Sequence, residues 1–82
     1  MPLFYFDTDD GRCLTKDEYG IELPNTREAL SVAVDSLPDL AQGLLLPQND
    51  HTVGVRVRGA GGGLVVEVSL DVVVKWGPDS AP

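Results

Sequence analysis

The sequence predicts an α+β fold: an antiparallel β-sheet with one proline-kinked α-helix packed on one face, in the order β-β-(β)-α-β-β. Three observations lead there. Residues 64–76, LVVEVSLDVVVKW, place an apolar side chain at every even position (Leu64, Val66, Val68, Leu70, Val72, Val74, Trp76) and put Glu67, Ser69, Asp71 and Lys75 on odd ones. Such alternation, rich in β-branched residues, is the pattern of a strand with one buried face. Val53, Val55 and Val57 alternate in the opposite phase, and the glycine-rich residues 59–63 read as the turn between the two. Ala29, Ala33, Leu37, Leu40, Ala41 and Leu44 step by threes and fours, the period of an amphipathic helix.

Taken in order, Leu3-Phe4-Tyr5-Phe6 opens the first strand, with Phe4 and Phe6 on one face and Leu3 and Tyr5 on the other. Asp10-Gly11 signals a hairpin, because glycine tolerates positive φ, and residues 12–15 form the return strand. Residues 16–20 make a second turn with Gly20 as its positive-φ residue. Ile21-Glu22-Leu23 is a short strand that Pro24 terminates.

Asn25 reads as the helix N-cap, with Glu28 placed to complete a capping box. Leu30 and Val34 widen the apolar stripe. Pro38 removes one backbone hydrogen bond and crowds the Val34 carbonyl. The expectation is a kink or break between Val34 and Pro38, with pieces near 26–36 and 38–45. Ser36 with Asp39 would cap the restarted piece, Gly43 would weaken it, and residues 47–50 would end it.

The hairpin register follows from phase. Apolar odd residues must face apolar even ones, and a two-residue Gly61-Gly62 turn gives paired numbers a sum of 123. Val57 then faces Val66, Val55 faces Val68, Val53 faces Leu70, and Arg56 meets Glu67 on the outer face. His51 falls opposite Val72, so residues 73–76 outrun their hairpin partner and must pair with the N-terminal strands or with another chain. At ~3.3 Å per residue the whole stretch would span roughly 40 Å, about twice a typical strand. It is read as the buried spine of the sheet, with Trp76 plugging the core or anchoring an interface. Residues 1–76 form one small domain and 77–82, small and proline-broken, a flexible tail.

Composition narrows the function. A chain of 82 residues buries only about 60–65% of its unfolded surface, so a second copy or partner would help it. Thirteen acidic against six basic residues give a net charge of −7, which argues against nucleic acid as a ligand. It permits a basic protein partner, although charge of this size also serves plain solubility. The single Cys13 forms no internal disulfide and suits a reducing compartment. No basic start leads into an apolar run, and no apolar run approaches the ~20 residues of a membrane helix. A cytoplasmic protein without membrane contact is expected.

No group of residues announces chemistry. Asp7, Asp9, Asp10 and Glu18 invite a calcium-loop reading, but the fifth and sixth loop positions hold Gly11 and Arg12 where an oxygen ligand and glycine belong. Cys13 and His51 are the one conceivable nucleophile–base pair, and their context does not support it. One Cys and one His do not make a zinc site. Residues 59–63 join two strands, whereas a phosphate cradle opens a helix. No catalytic residue, metal or cofactor is expected.

Several segments resemble an uncharacterised family of small bacterial proteins common in rhizobia and their relatives. The likeness rests on Met1-Pro2 with Phe4-Tyr5-Phe6-Asp7, on Asp10-Gly11, and above all on Asp17-Glu18-Tyr19-Gly20-Ile21-Glu22-Leu23-Pro24. Glu28-Ala29, Leu40-Ala41, residues 55–58 and Val68-Ser69-Leu70 fit as well. Pro38 and the glycine-rich turn depart from the pattern. The resemblance implies no activity and transfers no site residues. The order of elements is also similar to HicB-type antitoxins, a likeness of topology alone. The functional expectation is a non-enzymatic interaction module, homodimeric through Val72, Val74 and Trp76. The alternative is an acidic, antitoxin-like protein that covers a basic partner.

Overall fold

The computed structural model describes residues 1–42 and 50–80. The chain runs β1 (Leu3–Asp9), β2 (Leu14–Thr15), β3 (Ile21–Glu22), α1 (Thr26–Gln42), β4 (His51–Arg58) and β5 (Leu64–Val72). The strands form one antiparallel sheet in the order β2-β1-β4-β5, with β3 also paired to β1. This is the predicted α+β architecture.

β2 and β3 share one edge of β1. Thr8 and Asp9 pair with Thr15 and Leu14, while Leu3 and Phe4 pair with Glu22 and Ile21. The first hairpin closes through the Asp10 N–H to the Cys13 carbonyl, with Gly11 at φ +92° as the first residue of a two-residue loop. That is the position where a type II′ turn demands glycine. Gly20 also adopts positive φ, as its place in the second turn predicts. Leu23 extends the β3 edge by one further bond, its N–H donating to Pro2 O at 3.0 Å.

The helix begins where Asn25 predicts. Asn25 Oδ1 accepts the Glu28 N–H at 2.9 Å, and the Ala29 N–H makes the first backbone bond to Asn25 O. The expected division into two pieces is not found. α1 is one helix of 17 residues running through Pro38. Ser36 does not cap a second piece; its hydroxyl donates back to the Val32 carbonyl, inside the same helix. Packing of Ala29, Ala33 and Leu37 before the proline, and of Leu40 and Ala41 after it, holds the segment helical, since tertiary burial outweighs one missing backbone bond. The expectations for Gly43, Leu44 and residues 47–49 lie outside the described residues.

β4 and β5 pair in the register argued from valine phase: Val53 with Leu70, Val55 with Val68, Val57 with Val66, Arg56 with Glu67, and His51 with Val72. The turn is a different one. The Gly62 N–H donates to Gly59 O, the Gly59 N–H donates to Gly63 O, and Gly62 sits at φ +91°. A three-residue loop closed by a left-handed glycine therefore replaces the expected Gly61-Gly62 turn. Arg58 consequently faces Leu64, and Val65 becomes the extra residue of a β-bulge.

The core lies between α1 and the even face of β1 with the valines of β4. Phe4, Ala29, Ala33, Leu37, Val53, Val55 and Val57 are buried, with Phe6, Leu23, Leu40, Ala41, Val66 and Val68 packed against them. This places β4, between β1 and β5, at the buried centre. The 64–76 stretch is not the buried spine: β5 ends at Val72 and forms the sheet's outer edge. Trp76 is 68% exposed, so it does not plug the core. At this edge only Val66 and Val68 of β5 pack against the core.

Candidate functional site

Two features stand out once the fold is laid down: a polar network on the sheet face opposite the helix, and the open edge of β5.

The network begins with a gap. Between β2 and β3 the neighbouring strand leaves β1 over residues 5–7, and Asp17 fills that space with its side chain. Its Oδ2 accepts the Phe6 N–H at 3.0 Å, and its Oδ1 accepts the Tyr19 and Gly20 amides at 3.0 and 3.2 Å. The Asp17 N–H in turn donates to Asp7 Oδ1 at 2.9 Å. Asp7 is buried, and Arg58 of the neighbouring β4 reaches it diagonally. Arg58 Nε donates to Oδ2 at 2.7 Å and Nη2 to Oδ1 at 3.0 Å, while Nη2 also reaches Asp17 O at 2.9 Å. The guanidinium lies 5.0 Å from the Tyr5 ring centroid, a cation–π contact on the same face.

These bonds set the electrostatics. The Arg58 hydrogen bonds hold the Asp7 carboxyl below the usual aspartate range, against the opposing effect of burial. The Phe6 amide, ahead of the Tyr19 and Gly20 amides, does the same for Asp17. Farther along the face Arg56 pairs with Glu67, and Thr52 Oγ1 donates to Asp71 Oδ1 at 2.8 Å. A groove of about 280 Å³ runs between them over Gly54, with Asp9, Arg56, Glu67 and Ser69 among its walls. At its floor β5 approaches closely: a Cβ at position 54 would stand 3.2 Å from Val68 O, so glycine suits this position.

The acidic hairpin tip uses its carboxylates on its own backbone. Asp9 Oδ1 accepts the Gly11 amide, and Asp10 Oδ1 accepts those of Arg12 and Cys13, each at 2.9 Å. These amides, Arg12 first, lower the Asp10 carboxyl from its ordinary value. Cys13 is exposed in the same turn, its Sγ 3.9 Å from Thr15 Oγ1. His51 is half-buried at the start of β4, on a different element.

The edge contains the residues singled out from the sequence as an interface. Val72, the last residue of β5, and Val74 are half-buried, and Trp76 projects from the chain beyond them. The chain past Val72 does not pair with the N-terminal strands; the Val74 N–H is held by Asp50 Oδ1 at 2.9 Å. Among the described residues the outer side of β5 meets no strand. Leu64, Val65, Leu70 and Val73 are exposed along it. Beside this edge Thr26, Arg27, Leu30, Val65 and Val66 line an open, mainly apolar groove between α1 and β5.

Residues 3–71 match the family described as Domain of unknown function (DUF6894). The chain belongs to that family. No curated protein and no solved structure matches it. No helix among the described residues is long and apolar enough to cross a membrane.

Sequence reasoning missed the Asp7–Arg58–Asp17 network, although a signal existed. In the 123 register Arg58 has only Val65 opposite it, so an outer-face cation there needed its partner on another strand. The 63 sum between β1 and β4, which pairs Tyr5 with Arg58 and Asp7 with Arg56, supplies that strand.

Proposed function

We propose that this chain is a non-enzymatic protein-interaction module that self-associates through the sheet edge around residues 72–76, with Val72, Val74 and Trp76 in the contact. One observation carries the reading: β5 closes the sheet with an open edge, and the chain continuing from it exposes Val73 (59%) and Trp76 (68%). An open strand edge is a template for another strand, and large apolar edge residues need cover. Tryptophan is among the commonest energetic anchors of interfaces. The polar network supports the same division of labour, because its carboxylates are spent on the protein's own amides and on Arg58.

Sedimentation of the wild type and of Trp76→Ser over a range of concentrations tests this. The wild type should approach dimer mass as concentration rises, with the variant lagging by about tenfold or more in dissociation constant, the loss of one interface anchor. Identical monomeric sedimentation of both would overturn the reading. The net charge of −7 favours a second reading, an acidic antitoxin-like protein covering a basic partner. A chain that stays monomeric yet forms a salt-sensitive complex with a basic protein would favour that one.

A further inference from the structure

We infer that the occupant of the β5 edge is a second copy of the chain, paired antiparallel about a two-fold axis at Leu70. The inference rests on the self-association proposed above and adds the partner's register. A two-fold antiparallel strand pair is isologous: residue i meets j, and j meets i, with a constant sum. A sum of 140 pairs the stretch 64–76 with itself over its whole length. On the helix side Val66 meets Val74, Val68 meets Val72, and Leu70 meets its own copy, while the bulge at Val65 turns Leu64 to the other face beside Arg58. Leu70, 39% exposed in the single chain, is covered at the centre.

Charge selects this register over its neighbours. On the outer face Ser69 meets Asp71 and Glu67 meets Val73, with Lys75 diagonal to the partner's Glu67. No carboxylate opposes another. Moving the axis to Ser69 sets Glu67 against Asp71, and moving it to Asp71 sets that carboxylate against itself; like charges directly opposed destabilise a sheet. An axis at Val68 also avoids the clash, but it leaves residues 73–76 over the partner's glycine turn. Pairing about Leu70 accounts for the period-2 pattern persisting to Trp76 while β5 of a single chain stops at Val72. The two-fold axis puts both helices on one side of the joined sheet, so the apolar grooves at Leu30 and Val65 of the two copies flank the same seam.

Disulfide trapping reads the register directly. In a Cys13→Ser background, which removes the exposed native thiol, Leu70→Cys should form an intermolecular disulfide under mild oxidation at least an order of magnitude faster than Val72→Cys. Residues facing themselves across the axis lie within the ~5.5–6 Å Cα separation that a disulfide needs, whereas two copies of residue 72 stand roughly 13 Å apart, four residues along the strand. A mixture of Glu67→Cys and Val73→Cys chains, both altered at exposed positions, should give mixed dimers in preference to like ones. Light scattering on the unoxidised Leu70→Cys protein separates the possible failures. A dimer that does not trap at residue 70 overturns the register and leaves self-association standing. A monomer overturns both.

Discussion

Asp17 accepts the Phe6 N–H at 3.0 Å and so stands in for a strand that is missing beside β1. The chain leaves the edge between β2 and β3, and one side chain repairs the ladder across the gap. The same residue's backbone carbonyl receives Arg58, which holds Asp7 from the far side of β1. Two turns and two strands are tied at one point.

Asp17→Ala should therefore act as a core lesion although the residue sits in a turn. It removes the acceptor of the half-buried Phe6 amide and of two turn amides. A loss of about 2 kcal/mol is expected, the usual cost of leaving such donors unsatisfied. Urea denaturation measures it. A change within the spread of surface substitutions would show that water serves these amides equally well.

The pH dependence follows from the same bonds. Asp7, Asp17 and Asp10 all titrate below their ordinary values. A carboxyl with a folded pKa below its unfolded one adds stability that is fully present above the unfolded value, about 3.9, and is lost as pH falls through the folded value. The melting temperature should hold steady down to about pH 5 and fall progressively below about pH 4. In Asp17→Asn this acid slope should be shallower.

Gly20→Ala should destabilise, and Gly61→Ala should not. Gly20 has φ +76°, and an added Cβ would lie 3.0 Å from Leu3 Cγ and 3.1 Å from Phe4 O. Strain of this kind costs about 1–3 kcal/mol. At Gly61 a Cβ meets nothing within 4 Å. Equal melting temperatures for the two variants would remove the assigned role of Gly20.

Pro38→Ala should stabilise the protein. The proline is exposed on a helix that continues through it, leaving the Val34 carbonyl without its amide. Restoring that bond is worth about 1–3 kcal/mol, read as a higher urea midpoint with an unchanged slope. A lower midpoint would mean that the proline is doing something the helix needs.

Much of this fold was legible because its signals are periodic. Valine phase located β4 and β5 and their register, Asn25 located the helix start, and Gly20 located a turn. The signals that failed were those in which two local rules compete. Pro38 predicts a break, but Leu37 before it and Leu40 and Ala41 after it pack against the core and keep the helix whole. Five consecutive candidate residues at 59–63 allow several turns, and phase alone does not choose the three-residue loop with its bulge at Val65. The alternation of 64–76 reports which residues share a face, not whether anything covers that face. For this reason Trp76, for which the sequence allowed either a core plug or an exposed anchor, is found exposed. The Asp17–Phe6 bond carries no periodic mark, because a turn side chain completing a ladder depends on where the chain departs from the strand.

The central claim is that the exposed end of this stretch is built for a second copy. The most direct measurement is the solution mass by light scattering coupled to size exclusion at micromolar concentration. Self-association predicts twice the 8.8 kDa of a single chain. A mass of 8.8 kDa, unchanged as concentration rises, would contradict it.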